Sequence, residues 1–266
     1  MSVDLIIVPQ GAEYSSVVRG LKKQGLRIAE VVGGDGIVVC PIPIGSYSLT
    51  RLQHLVQTKH LKSSLHGQTV LLLGLGGSLS AQYCVGDIVI PRLIDRVISR
   101  YLAPADLAFR DSGRLDQSRL EKRYVPDSDL VHALYQSLEA QIAQMPSVLG
   151  IVHGVTSDRV ITTPQKKQQL SKTYNAELVD MEGAYVLDFF QKRGARVVVV
   201  RVISDNHDGA IPDLDRAIDS NGQLKVGMIA WQFFRQPNAA ARLIRGSLKG
   251  LRVLEDISAC CATLAL

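Results

Sequence analysis

Three acidic side chains stand where strands or helices of an α/β chain would begin or end. Glu13 follows the apolar run 3–8, Glu182 lies in the segment 179–184, and Asp205 follows the β-branched run 196–203. A carboxyl group can take a proton, give one when its pKa is raised, or accept hydrogen bonds from sugar hydroxyls. Together they predict general acid–base chemistry at one sheet edge. Taken singly, each acid also fits a helix cap or a turn, and that alternative stays open.

A helix is predicted across 181–189, where apolar residues recur at helical spacing. It would carry Asp180 and Glu182 in its first turn, where the positive end of the helix dipole favours acids. Gly194 is expected to end this region. Glu182 would then be held at the start of a rigid element.

The run 196–203 predicts a strand that is covered on both faces, as in a parallel sheet. Ser204 and Asp205 would lie just past its C-terminal end. Open α/β sheets form their ligand crevices at this edge. We therefore expect Asp205 to face a substrate.

The other predicted elements fit the same architecture. The first strand, 3–8, would deliver residues 10–13 into a loop before a helix, and strand 70–73 would lead into a glycine-rich turn at 74–79. That turn lacks the third glycine of a dinucleotide fingerprint, because Leu79 occupies the position. Segments 27–32 and 37–40 predict a hairpin around Gly33–Gly36. Residues 92–124 predict a long surface excursion.

Composition limits the class of protein. At 266 residues with 46% hydrophobic and 21% charged content, the chain predicts one globular α/β domain spanning 1–266. Four cysteines fit neither a zinc site nor a disulfide framework, so we expect reduced thiols, a cytoplasmic protein, and no metal or cofactor. No apolar run reaches the roughly 20 residues that span a bilayer, which predicts no membrane partner.

The net charge of +5 raises the question of nucleic acid. Basic residues, Lys166 and Lys167 among them, are scattered and aromatics are 5%, so no basic stripe with stacking side chains is predicted. We interpret these lysines as parts of solvated helix faces, and Trp231 as core. Nucleic acid is therefore not an expected partner.

Two motifs resemble a known family. The pair Val179-Asp180-Met181-Glu182-Gly183-Ala184 and Arg201-Val202-Ile203-Ser204-Asp205 is similar to the signature of the nucleoside phosphorylase and nucleosidase superfamily. That superfamily includes methylthioadenosine/S-adenosylhomocysteine nucleosidases and futalosine hydrolases. The resemblance extends more weakly over most of the chain, including the stretch 74–90. It implies a three-layer α/β/α fold with a mixed, mostly parallel sheet, partly closed into a barrel, and a homo-oligomer.

The resemblance also implies roles for particular residues. Asp205 would protonate the departing base and Glu13 would activate water. The expected substrate-binding residues are Glu182 at the ribose hydroxyls, Met181 against the sugar, Ser204, Gly76 and Gly77 in the glycine-rich stretch, and Arg159 and Val160 beside the base. The expected partner is a purine nucleoside.

Two alternatives remain open at this stage. A phosphorylase would use phosphate in place of water, with Arg19 and Arg51 as its candidate partners, but a carboxylate at Glu13 would repel that anion. A non-catalytic nucleoside-binding or storage protein is the other alternative. Leu75, which stands where many family members carry a serine or threonine, and the long segment 92–124 allow it. The presence of Glu13, Glu182 and Asp205 together argues against it.

Overall fold

A nine-stranded mixed sheet organises the chain in the computed structural model. The structure describes residues 3–29, 36–58, 60–61, 64–97, 120–212, 231 and 233–263. The strands are β1 (Leu5–Pro9), β2 (Ile28–Ala29), β3 (Ile37–Ile42), β4 (Thr69–Ser78), β5 (Ile88–Val97), β6 (Leu120–Tyr124), β7 (Leu149–Ser157), β8 (Leu178–Asp180) and β9 (Arg196–Asp205). The helices are α1 (Ala12–Lys23), α2 (Tyr47–Gln57), α3 (Ser128–Ile142), α4 (Pro164–Tyr174), α5 (Gly183–Gln191) and α6 (Pro237–Ala262).

The strand order is β2-β3-β1-β4-β8-β7-β5-β6, and β9 pairs with both β4 and β5. Strands β4, β8, β7, β5 and β9 therefore close into a ring. Among the pairings, those of β4 with β8, β5 with β6 and β5 with β9 are antiparallel, and the others are parallel. The mixed, mostly parallel sheet and its partial closure confirm the predicted fold class.

Helices cover both faces of the sheet. Strand β9 shows this directly, because Val198 and Val200 pack in the core under α1, α3 and α6, whereas Val197 and Val199 pack under α2 and α5. Successive side chains of a strand point to opposite faces, so a strand between two helical layers needs apolar residues at every position. The β-branched run therefore predicted this three-layer arrangement correctly.

Helix α6 packs against its neighbours through glycines. A Cβ at Gly20 of α1 would lie 2.0 Å from the carbonyl oxygen of Glu255, and one at Gly246 of α6 would lie 2.1 Å from that of Ser204. Such distances leave room only for hydrogen. Helix α6 thus contacts the end of β9 directly.

The hairpin predicted for 27–32 and 37–40 is wrong. Strands β2 and β3 are parallel, with Ile28 opposite Ile37 and Ala29 opposite Val38. Strand β3 also pairs with β1 in parallel, so all three strands run in one direction. Gly33, Gly34 and Asp35 of the predicted turn lie outside the described residues.

The glycine-rich turn predicted at 74–79 is also wrong, because Gly74–Ser78 continues β4. The missing side chains make space for functional groups. A Cβ at Gly74 would lie 2.2 Å from Nη1 of Arg201 and 2.6 Å from Oε2 of Glu13. These glycines therefore admit charged neighbours into the space beside the strand.

Several predicted boundaries shift by a few residues. Asp180 ends β8 and Glu182 precedes α5, so neither lies in the first turn of that helix. Ser204 and Asp205 are the last residues of β9, and Glu13 lies in the first turn of α1 instead of a loop.

Two further predictions on the outer parts of the chain need correction. The predicted surface excursion at 92–124 is in part regular structure, since β5 runs to Val97 and pairs with β6. Trp231 is 57% exposed and does not belong to the core. No helix within the described ranges is long and apolar enough to cross a membrane.

Candidate active site

One cavity brings together all of the residues that the sequence predicts to be catalytic or substrate-binding. It has a volume of about 230 Å³ and lies where α1 begins and where β4, β8 and β9 end. The predicted residues on its wall are Glu13, Gly76, Gly77, Arg159, Val160, Met181, Glu182, Ser204 and Asp205. The topology places them together because the parallel strands β4 and β9 end at a common edge, and β8 pairs antiparallel with the last residues of β4.

Glu13 lies on this cavity with its carboxylate close to the backbone of β4. Its Oε2 accepts a hydrogen bond of 2.6 Å from the backbone N–H of Leu75. Burial raises the pKa of Glu13 to about 8, against the lowering effect of Arg201, and the Glu182 carboxylate raises it further. Glu13 can therefore take up a proton near neutral pH.

Arg201 is fully buried on β9 and neutralises the acids around it. Its Nε and Nη2 donate to Oδ2 of Asp180 at 3.0 and 2.6 Å, and Nη2 also donates to Oε2 of Glu182 at 3.1 Å. Burial alone would lower the pKa of Arg201, but Asp180, Glu182 and Glu13 outweigh it and raise the pKa above its usual value. The guanidinium thus remains charged.

Glu182 is held in place from two sides. Besides the contact with Arg201, its Oε1 accepts a hydrogen bond of 2.9 Å from the backbone N–H of Gly45. Burial raises the pKa of Glu182 in spite of the Arg201 charge, and Asp180 raises it further. One cation thus serves three neighbouring carboxyl groups, an arrangement that favours a hydroxyl-rich or partly cationic ligand over an anion.

Asp205 occupies the other end of the cavity wall. A register shift between Gly76 and Gly77 places Gly77 opposite Asp205, and a Cβ at Gly77 would lie 3.1 Å from Oδ2 of Asp205. The Ser204 Oγ lies 3.1 Å from Oδ1 of Asp205 and 3.2 Å from the Gly76 carbonyl oxygen. The carboxylate therefore sits over a glycine backbone with a hydroxyl beside it.

The expectation that Lys167 lies on a solvated helix face is wrong. Lys167 is 0% exposed, and its Nζ donates hydrogen bonds to Oδ2 of Asp205 and to the carbonyl oxygens of Asn206 and Gly209. Its neighbour Lys166 is exposed, as expected. A pair of adjacent lysines in a helix gives no sequence signal that tells the buried one from the exposed one.

The role of Arg201 was also missed, although a signal was present. It interrupts a run of β-branched residues in a strand that is covered on both faces, and a buried arginine requires carboxylate partners. The motif acids Asp180 and Glu182 were the obvious candidates. Charge pairing could thus have been inferred from the sequence.

The two arginines considered as phosphate partners lie elsewhere. Arg19 forms an ion pair with Glu255, with 2.9 Å between Nε and Oε2, and Arg51 is exposed on α2. Neither lines the cavity, whereas Arg159 does. Among the described residues, no group of three or more His, Cys, Asp and Glu side chains is arranged to hold a metal ion.

Comparison with known proteins agrees with this geometry. The sequence model of the phosphorylase superfamily matches residues 23–253, which is most of the chain. The chain belongs to the phosphorylase superfamily. Within it, the chain is 26% identical over 204 residues to 5'-methylthioadenosine/S-adenosylhomocysteine nucleosidase from Shewanella sp. (strain W3-18-1), covering 76% of this chain and 82% of that protein.

The chain is also similar to aminodeoxyfutalosine nucleosidase from Helicobacter pylori, with 28% identity over 145 residues, 53% of this chain and 57% of that protein. Solved structures share the fold. Futalosine hydrolase of Helicobacter pylori superposes with a TM-score of 0.62 at 17% identity, covering 97% of this chain and 95% of that one. A methylthioadenosine/S-adenosylhomocysteine nucleosidase from Colwellia psychrerythraea in complex with adenine gives 0.62 at 15% identity, covering 100% and 99%.

Proposed function

We propose that this chain is a nucleosidase that hydrolyses the N-glycosidic bond of a purine nucleoside of the methylthioadenosine or S-adenosylhomocysteine type. The products are the free base and the free sugar. The carboxyl-rich cavity and the names of the relatives within the superfamily support this proposal.

The reaction develops negative charge on the base and positive charge on the sugar, and the proposed site has groups that stabilise each. As the bond from sugar to base breaks, its electron pair leaves with the base and the sugar becomes oxocarbenium-like. Asp205 donates a proton to a base nitrogen, which neutralises the leaving group. Glu13 takes a proton from the attacking water, whose oxygen forms the new bond to the sugar carbon. The proton count balances, since Asp205 loses one and Glu13 gains one.

Glu182 and Met181 act on the sugar in this proposal. Glu182 accepts hydrogen bonds from the ribose hydroxyls and is itself fixed by Arg201 and Gly45, so it loses little freedom when substrate binds. Met181 packs on the apolar face of the sugar. Arg159 and Val160 lie beside the base, and Ser204, Gly76 and Gly77 shape the wall on which Asp205 rests.

The observation that carries the proposal is the position of Glu13 beside Asp180 and Glu182. The cation nearest to these carboxyl groups, Arg201, is already bonded to Asp180 and Glu182. A phosphate ion entering here would meet carboxyl oxygens, whereas water would meet a proton acceptor. This favours water over phosphate as the nucleophile. Arg19 and Arg51 lie outside the cavity, which also argues against the phosphorylase alternative.

Two finer statements belong to the proposal and rest on the family resemblance and the composition. We propose that the protein is cytoplasmic and that it acts as a homo-oligomer. Size-exclusion chromatography with light scattering measures the second.

Replacement of Asp205 tests the proposal against a non-catalytic role. In Asp205→Asn the carboxyl proton is lost while the side-chain shape is kept, so we expect the turnover of methylthioadenosine to fall by about 10²–10⁴-fold. Asp208→Asn, at an exposed acid three residues away, should retain wild-type turnover. A wild-type protein that binds adenine but turns over no nucleoside would instead identify a binding protein.

A further inference from the structure

Lys167 is the one lysine that the described part of the chain buries completely. It lies in the second turn of α4 and does not line the cavity itself. An ammonium group in a protein interior loses its hydration, so it persists there only when its N–H donors and its charge are matched. The structure must therefore supply acceptors for it.

Those acceptors all lie in one short segment. The ammonium group has three N–H donors, and it donates to Oδ2 of Asp205, to the Asn206 carbonyl oxygen at 2.5 Å and to the Gly209 carbonyl oxygen at 3.3 Å. All three N–H donors of the side chain therefore bond to the end of β9 and the turn that follows it.

The same turn is anchored from its other side. The Asn206 Oδ1 accepts a hydrogen bond of 2.9 Å from the backbone N–H of Val85. Helix α4 and the connection between β4 and β5 thus hold the turn between them, and Lys167 provides the contact to the Asp205 carboxylate.

These contacts restrict the orientation of Asp205. Lys167 contacts Oδ2, the Ser204 hydroxyl lies beside Oδ1, and Gly77 lies beneath the carboxylate. Without Lys167, the carboxylate would lose its charged partner, and the two carbonyl groups of the turn would lose the ammonium donor. A proton donor must keep its geometry to within a fraction of an ångström to work efficiently.

We infer that Lys167 is a positioning residue that holds Asp205 in place for protonation of the leaving base. The inference rests on the proposed function, because it assigns Lys167 to the protonation step of that reaction. Lys167 acts through Asp205 and does not contact the substrate.

A double-mutant cycle tests the inference. The proteins are the wild type, Lys167→Met, Asp205→Asn, the double variant, and Lys166→Met as the exposed neighbouring control. We expect Lys167→Met to lower kcat for methylthioadenosine by at least about 30-fold with KM within about threefold. In the Asp205→Asn background the same change should cost less than about threefold, because the group through which it acts is gone.

A second substrate separates positioning from general damage to the fold. In 4-nitrophenyl riboside the leaving group departs without protonation. The kcat of Lys167→Met on this substrate should therefore fall by less than about threefold. Any of three results would overturn the inference. In the double variant, the two losses in kcat would multiply; or Lys167→Met would lower kcat equally on both substrates; or Lys167→Met would be as active as Lys166→Met.

Two further measurements keep the inference testable. If Lys167→Met fails to fold, Lys167→Gln and Lys167→Arg take its place, and the charged variant should be the more active of the two. If the wild type turns over no nucleoside, the proposed function fails and the protonation role fails with it, and calorimetry with adenine then tests only whether Lys167 holds Asp205 in place. Lys167→Met should then weaken adenine binding at least about tenfold, and unchanged binding would refute the inference.

Discussion

At the scale of single residues, the cavity holds more carboxyl groups than cations can neutralise. Arg201 faces Asp180, Glu182 and Glu13, and the pKa values of both glutamates are raised mainly by burial. Such crowding costs stability when every group is ionised, and with burial it brings the pKa of Glu13 to about 8, where this group can exchange a proton near neutral pH. A developing positive charge on a sugar would relieve the same crowding.

The raised pKa of Glu13 predicts how stability varies with pH. The folded pKa of about 8 lies above the ordinary 4.5, so between these values the folded state keeps a proton that the unfolded state releases. The free energy of unfolding should therefore fall as pH rises through this window, by up to about 1.4 kcal/mol per pH unit, and this contribution is complete below pH 4.5.

Urea unfolding of the wild type and Glu13→Gln at pH 5, 6.5 and 8 measures this effect, with the pH values chosen inside that window. Glu13→Gln should become more stable relative to the wild type as pH rises, because glutamine does not titrate. Glu139→Gln, at an exposed position on α3, serves as the control and should follow the wild type. A constant difference between Glu13→Gln and the wild type would contradict the raised pKa.

Sequence patterns indicated which carboxyl groups share a cavity far better than they indicated the partners of those groups. Residue types and motifs pointed to Glu13, Glu182 and Asp205, and all three line one cavity. Lys167 was placed on the surface, because pairing between α4 and the end of β9 depends on tertiary packing that no local pattern encodes. Trp231 shows the reverse error, since a large aromatic side chain does not by itself indicate burial.

At the scale of elements, the end of β9 is positioned by close contacts on both sides. Strand β4 meets it along a stretch that contains Gly74, Gly76 and Gly77, and α6 meets it through Gly246 and Gly250. Small residues at these points let the backbones approach closely. The geometry at Ser204 and Asp205 therefore depends on the absence of side chains nearby.

Gly246→Ala tests this dependence on close contact. Alanine is favoured over glycine in a helix by about 1 kcal/mol, but its Cβ would lie 2.1 Å from the Ser204 carbonyl oxygen. The clash should dominate, so we expect a net destabilisation of about 1–3 kcal/mol and a lower kcat, as α6 or β9 moves. Ser247→Ala on the same helix is the control, and a Gly246→Ala protein with greater stability and full activity would contradict the packing.

Element types were more predictable than element directions and ends. The apolar runs correctly marked buried strands and amphipathic helices, because burial leaves a periodic trace in the sequence. The glycines at 74–78 and around 33–36 were interpreted as turns on local preference alone, and tertiary pairing decided otherwise for β4 and for the direction of β2 against β3. Glycine is permissive, so it marks a turn or a close approach equally well.

At the scale of the whole molecule, the ring formed by β4, β8, β7, β5 and β9 brings the residues of the candidate site together. Asp180 ends β8, Asp205 ends β9 and Gly76 and Gly77 lie near the end of β4. Arg201 within β9 links Asp180 of β8 to Glu182 at the start of α5. The fold thus brings the sugar-binding and base-protonating groups of the proposed reaction into one cavity.

The central claim is that water attacks the sugar of a purine nucleoside in this cavity. The most direct measurement follows both the base and the sugar released from methylthioadenosine and related purine nucleosides, in phosphate-free buffer and again with phosphate added. We predict free base and free sugar in equal amounts at a rate that phosphate does not raise. Base release only with phosphate, accompanied by a sugar 1-phosphate, or no base release from any of these nucleosides, would contradict the claim.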